Sequence, residues 1–213
     1  MCDWHRSLIM KILCHRGFWK QKSEQNTLDS FKLAFIQKFG IEIDVRDFNK
    51  EIVISHDTPS KNSPKLRALL DEGLHHELLL AFNIKSDGIS EELEKIIKDF
   101  KISNYFCFDM SIPQQVNYQN KGLVWYSRLS DHIEEQVINK NSHGIWLDSF
   151  FNDWWNKDEL IKLTKKKQVA IVSPELHGRD HRAIWDQIKS LKEQKNIILC
   201  TDLPNEAQDF FYD

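Results

Sequence analysis

The stretch Gly40-Ile41-Glu42-Ile43-Asp44-Val45-Arg46 decides the reading of this chain. Successive side chains on a strand point to opposite faces. Ile41, Ile43 and Val45 therefore share one face, and Glu42, Asp44 and Arg46 share the other. A strand with helices packed on one side has no packing reason to carry three charges on its other side. Buried charges are costly unless they are paired or hold a metal. The alternation thus predicts a site for a hard cation, a phosphate, or both. A structural salt-bridge layer of Glu42 and Asp44 with Arg46 and Lys85 is the competing reading.

Outward from that strand, short apolar runs alternate with amphipathic segments. Strands are expected over Leu8–Cys14, Ile41–Arg46, Leu78–Ile84, Tyr105–Phe108, Leu123–Tyr126, Ile145–Leu147, Val169–Val172 and Ile197–Cys200, with a short return at Glu51–Ser55. Thr27–Lys38 has Leu28, Phe31, Ala34 and Phe35 at helical spacing. Further helices are expected over Pro64–Glu72, Ser90–Phe100 with Ser90 as N-cap, Pro113–Asn117, Ile133–Lys140, Lys157–Lys166 and Ala183–Lys192. Eight strands with intervening helices predict a (β/α)8 TIM-type barrel, one compact domain over 1–213 with short loops. An open doubly wound sheet is the alternative, but no glycine-rich turn follows the first strand to support a dinucleotide version.

The 213 residues are 41% hydrophobic and 29% charged, with a net charge of -3, a globular balance. No basic tract suits nucleic acid or a membrane surface; Lys165-Lys166-Lys167 reads as a helix C-terminus. The stretch Leu8–Leu13 is too short and interrupted for a membrane span. The four cysteines lack CxxC spacing, and Cys14, Cys107 and Cys200 lie in apolar runs. This usage suits a reducing cytoplasm.

Barrel enzymes carry their chemistry at the C-terminal ends of strands. Here those ends read His15-Arg16-Gly17; Glu42, Asp44 and Arg46; His56-Asp57; Asn83 and Lys85; Asp109; Arg128; Asp148; Glu175 with His177; and Thr201-Asp202. Core packing alone does not place a polar group at every strand end. Trp125 and Trp146 lie near strand ends and could stack on a sugar ring, or simply pack in the core. His177 and His181 have metal-like spacing without a third partner nearby, and the histidines at 5, 75, 76, 132 and 143 read as surface or packing residues.

In this order, His15-Arg16-Gly17, Gln25-Asn26-Thr27 with Ser30-Phe31, Glu42-Ile43-Asp44-Val45, His56-Asp57 and Thr201-Asp202-x-Pro204 resemble the glycerophosphodiester phosphodiesterase family over nearly the whole chain. The resemblance implies a phosphodiesterase barrel in which Glu42 and Asp44 hold a divalent cation, Mg²⁺ or Ca²⁺. It also implies that His15 and His56 act as acid and base and that Arg16 and Lys85 contact the phosphate. Such chemistry needs these groups. A cation with Arg and Lys stabilises charge on the non-bridging oxygens. Two imidazoles titrating near neutrality serve an attacking hydroxyl and a leaving alkoxide.

The chain departs from the family pattern at Asn83, where an acid is usual two residues before the lysine. Asn83 can still ligate through its carbonyl oxygen, and Glu175 is the leading substitute carboxylate, with Asp109 and Asp148 behind it. Trp125, Arg128, Trp146, Asp148 and His177 are candidate contacts for the rest of the substrate. The loop after His56 lacks the larger insertion that binds the glycerol moiety in the family, which points to a different, saccharide-linked or other small phosphodiester. A phosphoester-binding module without turnover, and a lyase giving a cyclic phosphate, stand as alternatives.

Overall fold

A computed structural model describes residues 9–132 and 138–212. Leu8 and most of the helix expected over Ile133–Lys140 fall outside the described residues. The chain divides into two compact units, Cys14–Tyr126 and the pairing of Met1–Leu13 with Ser127–Asp213. No helix among the described residues is long and apolar enough to cross a membrane.

β1 (Lys11–His15) leads into the Cys14–Tyr126 unit. There follow α1 (Leu28–Ile36), β2 (Gly40–Phe48), β3 (Glu51–Ile54), α2 (Leu66–Leu70), β4 (Leu80–Ile84), α3 (Ser90–Asp99), β5 (Tyr105–Phe108) and α4 (Ile112–Asn120). The strand order β5-β4-β2 is parallel throughout, and the short return β3 pairs antiparallel with β2. Thr27 caps α1 by accepting the Ser30 N–H at 3.2 Å, as its hydroxyl just ahead of the apolar periodicity foretells. Phe31, Ala34 and Phe35 turn inward with Ile41, Ile43 and Val45. Each fully buried large side chain of this set contributes roughly 1.5–3 kcal/mol.

Two expectations shift. Ser90 is the first helical residue rather than the cap, because Ile89 occupies the N-cap position and Ser90 is itself buried. The strand expected over Leu123–Tyr126 begins at Tyr126 instead. The apolar run ahead of it satisfies its burial with a single parallel bridge, Cys107 to Trp125, so hydrophobicity there marks the core and not the ladder.

In the other unit lie β6 (Tyr126–Ser130), β7 (Gly144–Asp148), α5 (Lys157–Thr164), β8 (Gln168–Val172), a 3-10 turn at Pro174–His177, α6 (Arg182–Ile188), β9 (Ile197–Thr201) and α7 (Pro204–Tyr212). The order is β9-β8-β7-β6, with β7, β8 and β9 parallel. Asn156 opens α5 with a capping box to Glu159. Trp185 of α6 is fully buried against Phe210 and Phe211 of α7, with ring centroids 5.5 and 5.6 Å away.

Candidate active site

Glu42 and Asp44 are both fully buried, although they lie on the face of β2 opposite Ile41, Ile43 and Val45. The parallel register sets Asp44 beside Asn83 of β4. Glu42 Oε1 accepts from Asn83 Nδ2 at 3.0 Å. Its Oε2 accepts the Arg16 backbone N–H at 3.2 Å and lies 3.9 Å from His15 Nε2. Asp44 Oδ2 accepts from Asn26 Nδ2 at 2.8 Å and ion-pairs with Arg16 Nε at 2.9 Å. Lys85 Nζ stands 3.4 Å from Asp44 Oδ1.

Three buried oxygens in this cluster accept no hydrogen bond, Asn26 Oδ1, Asp44 Oδ1 and Asn83 Oδ1, although Lys85 faces the Asp44 oxygen as an ion-pair partner. Unpaired buried acceptors are costly. Burial, and then the charge of Asp44, push the Glu42 carboxyl up to about 7, against the pull of His15, Lys85 and the Asn83 hydrogen bond. Among the described residues no three His, Cys, Asp or Glu side chains gather to hold a metal. The oxygens that could hold an ion here are those of Glu42, Asp44 and the Asn83 carbonyl, an all-oxygen set of the kind a hard cation such as Mg²⁺ or Ca²⁺ takes.

The loop after β1 delivers Arg16 under strain. Arg16 and Asn26 both have left-handed backbones, at φ 56° and 58°. The Asn26 N–H donates to the Arg16 carbonyl at 2.9 Å, which clasps the two segments together. Gly17 makes the approach possible: its φ is +95°, and a Cβ there would lie 2.3 Å from Ser30 Oγ. Strain of this kind persists only where surrounding contacts hold it, and it concentrates at functional sites. In the sequence Asn26 stands within the Gln25-Asn26-Thr27 motif and is not among the expected site residues. The legible signal was an asparagine, a residue that tolerates left-handed backbone, directly before a helix cap.

His56 follows β3. Its Nδ1 lies 2.8 Å from Asp57 Oδ1, and its carbonyl accepts from Arg46 Nε and Nη2 at 3.0 and 2.9 Å. Arg46 thus anchors the His56 loop, whereas Lys85 does pair with Asp44. The hydrogen bond from His56 holds the Asp57 carboxyl below its ordinary range, with Arg16 and Arg46 contributing. The Ser55 N–H donates to the Asp44 carbonyl at 3.0 Å, which sets the His56 loop beside the end of β2. His15, Arg16, Glu42, Asp44, Asn83 and Lys85 are joined by direct contacts; His56 stands beside them with Asp57.

In the second unit, Asp148 joins two other candidates. Its Oδ2 accepts from Arg128 Nη1 at 2.6 Å, and its Oδ1 lies 2.7 Å from His177 Nε2. Burial would raise the Asp148 carboxyl, but the His177 hydrogen bond and the Arg128 charge outweigh it and hold the group below the ordinary aspartate range. Glu175 spends both oxygens locally. Oε1 accepts from the Thr201 hydroxyl and the Asp202 N–H, and Oε2 accepts from the Ser173 hydroxyl. Trp125 and Trp146 are buried in the cores of their units.

No family model and no curated protein matches the sequence. Solved structures do. A Galdieria sulphuraria protein provisionally assigned as a glycerophosphodiester phosphodiesterase is similar with a TM-score of 0.75 at 16% identity, over 97% of this chain and 99% of that one. An Oleispira antarctica phosphodiesterase, solved with the product sn-glycerol-3-phosphate, is similar with a TM-score of 0.68 at 14% identity, over 98% and 99%. A Ca²⁺-dependent phosphatidylinositol-specific phospholipase C from Streptomyces antibioticus is similar with a TM-score of 0.56 at 7% identity, over 95% and 96%. At such identities the likeness speaks for architecture, and this chain has the fold of the glycerophosphodiester phosphodiesterases, the (β/α)8 barrel that its alternating strands and helices predict.

Proposed function

We propose that this chain is a metal-dependent phosphodiesterase of small, glycerophosphodiester-like or saccharide-linked phosphodiesters. One observation carries the reading. Two fully buried carboxylates, Glu42 and Asp44, lie beside His15, Arg16 and Lys85, and the Asp44 oxygen that faces Lys85 and the Asn83 carbonyl oxygen carry no hydrogen bond. Core packing offers no return for that arrangement, whereas a cation and a phosphate together would satisfy every group in it.

Glu42, Asp44 and the Asn83 carbonyl would hold the cation, which supplies Lewis-acid stabilisation of charge on the phosphoryl oxygens. Arg16 and Lys85 bind and orient the phosphate. Both now rest on Asp44, so phosphate entry exchanges one anionic partner for another. His15 and His56 divide the proton transfers, one taking the proton of the attacking hydroxyl and the other returning one to the leaving alkoxide. Asp57 fixes the His56 ring through Nδ1 and leaves Nε2 for that transfer. The similar structures whose names speak of phosphodiesterase activity, of a glycerol phosphate product and of Ca²⁺ dependence support this reading.

The test is hydrolysis of glycerophosphodiesters by pure protein with Mg²⁺ or Ca²⁺. Turnover that EDTA and Glu42→Gln both abolish supports the proposal, and turnover indifferent to both overturns it. Phosphorus NMR of the product separates hydrolysis from the cyclic phosphate of a lyase. The neutral Asn83 and the engagement of Arg16 and Lys85 by Asp44 favour one second reading, a module that binds phosphoesters without turnover. Calorimetric binding with no product over long incubation would favour it.

A further inference from the structure

The Asp44 side chain is tied to its surroundings in two different ways. Arg16 Nε lies 2.9 Å from Oδ2 and Lys85 Nζ 3.4 Å from Oδ1, yet neither Arg16 Nε nor Asp44 Oδ1 takes part in a hydrogen bond. These are charge contacts. The directed tie comes from Asn26 Nδ2, which donates to Oδ2 at 2.8 Å. All four residues belong to the Cys14–Tyr126 unit.

The two kinds of tie respond differently to a phosphate. A charge contact depends on distance and leaves a carboxylate free to turn, whereas a hydrogen bond weakens steeply off its axis. The Arg16 and Lys85 side chains are partly exposed, and they are the cations that a phosphate would draw away from Asp44. Asn26 has no charge to be drawn. It stays on Oδ2 and leaves the buried Oδ1, which accepts no hydrogen bond, on the Lys85 side of the carboxylate. A lysine or arginine in its place would neutralise Asp44 and weaken its attraction for a divalent cation. The amide donates without doing so.

The backbone of Asn26 is held by contacts of its own. Its N–H donates to the Arg16 carbonyl at 2.9 Å, and its φ of 58° is a conformation that asparagine tolerates better than most residues. The Ser30 hydroxyl reaches the same Arg16 carbonyl at 3.4 Å and the Thr27 carbonyl at 2.9 Å, which closes the loop onto α1. Backbone and side chain therefore have separable effects. The N–H fixes where Arg16 leaves the chain, and the amide fixes how Asp44 is turned. Asn26 Oδ1 is itself buried without a hydrogen bond, a cost that a loop asparagine facing water does not bear.

We propose that Asn26 is a positioning residue: its amide sets the plane of the Asp44 carboxylate, so that Oδ1 stays turned toward a divalent cation while Arg16 and Lys85 pass from Asp44 to a phosphate. The cation and the phosphate rest on the phosphodiesterase reading; the positioning rests on the Asn26–Asp44 hydrogen bond. Removing such a partner from a ligating carboxylate changes metal affinity by about 10–100-fold.

The experiment uses Asn26→Gly, which keeps the N–H to Arg16, suits the left-handed backbone and removes only the side chain. At a temperature where both proteins are folded, calorimetry follows Ca²⁺ and glycerol 3-phosphate, each alone and then together. The variant should bind Ca²⁺ about tenfold more weakly than wild type, and the gap should widen when glycerol 3-phosphate is present. Its affinity for glycerol 3-phosphate alone should match wild type, because Arg16 is still delivered. Equal Ca²⁺ affinities, a gap that does not widen, or an equal loss for both ligands, as a purely structural loop role would give, would overturn the inference. A second measurement needs no variant. In nitrogen-edited NMR of wild type, one Asn26 amide proton should stay protected from exchange as both ligands are added, while the Arg16 Nε–H signal moves. Loss of that protection would also overturn it. No binding of Ca²⁺ or of glycerol 3-phosphate by wild type sinks the phosphodiesterase site and this inference together. Binding of both without turnover sinks the activity alone and leaves Asn26 in its role.

Discussion

Asn83 donates to Glu42 Oε1 at 3.0 Å and leaves its own carbonyl oxygen, Oδ1, unpartnered in the same buried cluster as Asp44. The amide therefore does two jobs that one acid could not. It stabilises the ionised form of Glu42, and it offers an oxygen without adding charge.

An Asn83→Asp substitution should raise cation affinity, because ligand charge count tunes such sites. Calorimetric titration with Ca²⁺ or Mg²⁺ should show about a tenfold gain, the equivalent of roughly 1.4 kcal/mol. The metal-free variant should be less stable than wild type, since a third buried carboxylate joins Glu42 and Asp44. Unchanged affinity would mean that position 83 does not face the ion.

Gly17→Ala should destabilise the protein by about 1–3 kcal/mol. The added Cβ meets Ser30 Oγ at 2.3 Å, and the backbone sits at φ +95°. Urea unfolding measures the loss. Activity should fall further than stability does at temperatures where the variant stays folded, because the same loop carries Arg16 to Asp44.

His15→Ala and His56→Ala should each lower kcat by about 10²–10⁴-fold, the usual contribution of a positioned acid or base. Asp57→Asn should cost less and act mainly on kcat, since Asp57 only orients the His56 ring. Full metal-dependent turnover in either histidine variant would remove that histidine from the mechanism.

Asp148 gives a pH dependence of known sign. Its folded carboxyl is held below the ordinary aspartate range. Its stabilising contribution is therefore present above the unfolded value near 4 and is lost as pH falls through the folded value. Wild type should lose stability below about pH 4 more steeply than Asp148→Asn does. At neutral pH the same substitution should cost about 2–3 kcal/mol, because Arg128 loses its buried anionic partner. Denaturant melts across that range check both.

The sequence by itself determined the alternation of Ile41, Ile43 and Val45 against Glu42 and Asp44, the Thr27 cap of α1, and the strand and helix order, because these depend on neighbours a few residues apart. It also singled out His15, Arg16, Asn83 and Lys85 as residues to watch. Tertiary structure alone decided their partners. Asn26 meets Asp44 only because left-handed turns at Arg16 and Asn26 clasp two loops together. Arg46 leaves the carboxylates to hold the His56 carbonyl. Asp148 captures His177 from 29 residues away, and Glu175 spends its charge on Thr201 and Asp202, 26 and 27 residues away. A carboxylate's role follows from which donors the fold brings within about 3 Å of it, and no local pattern encodes that distance.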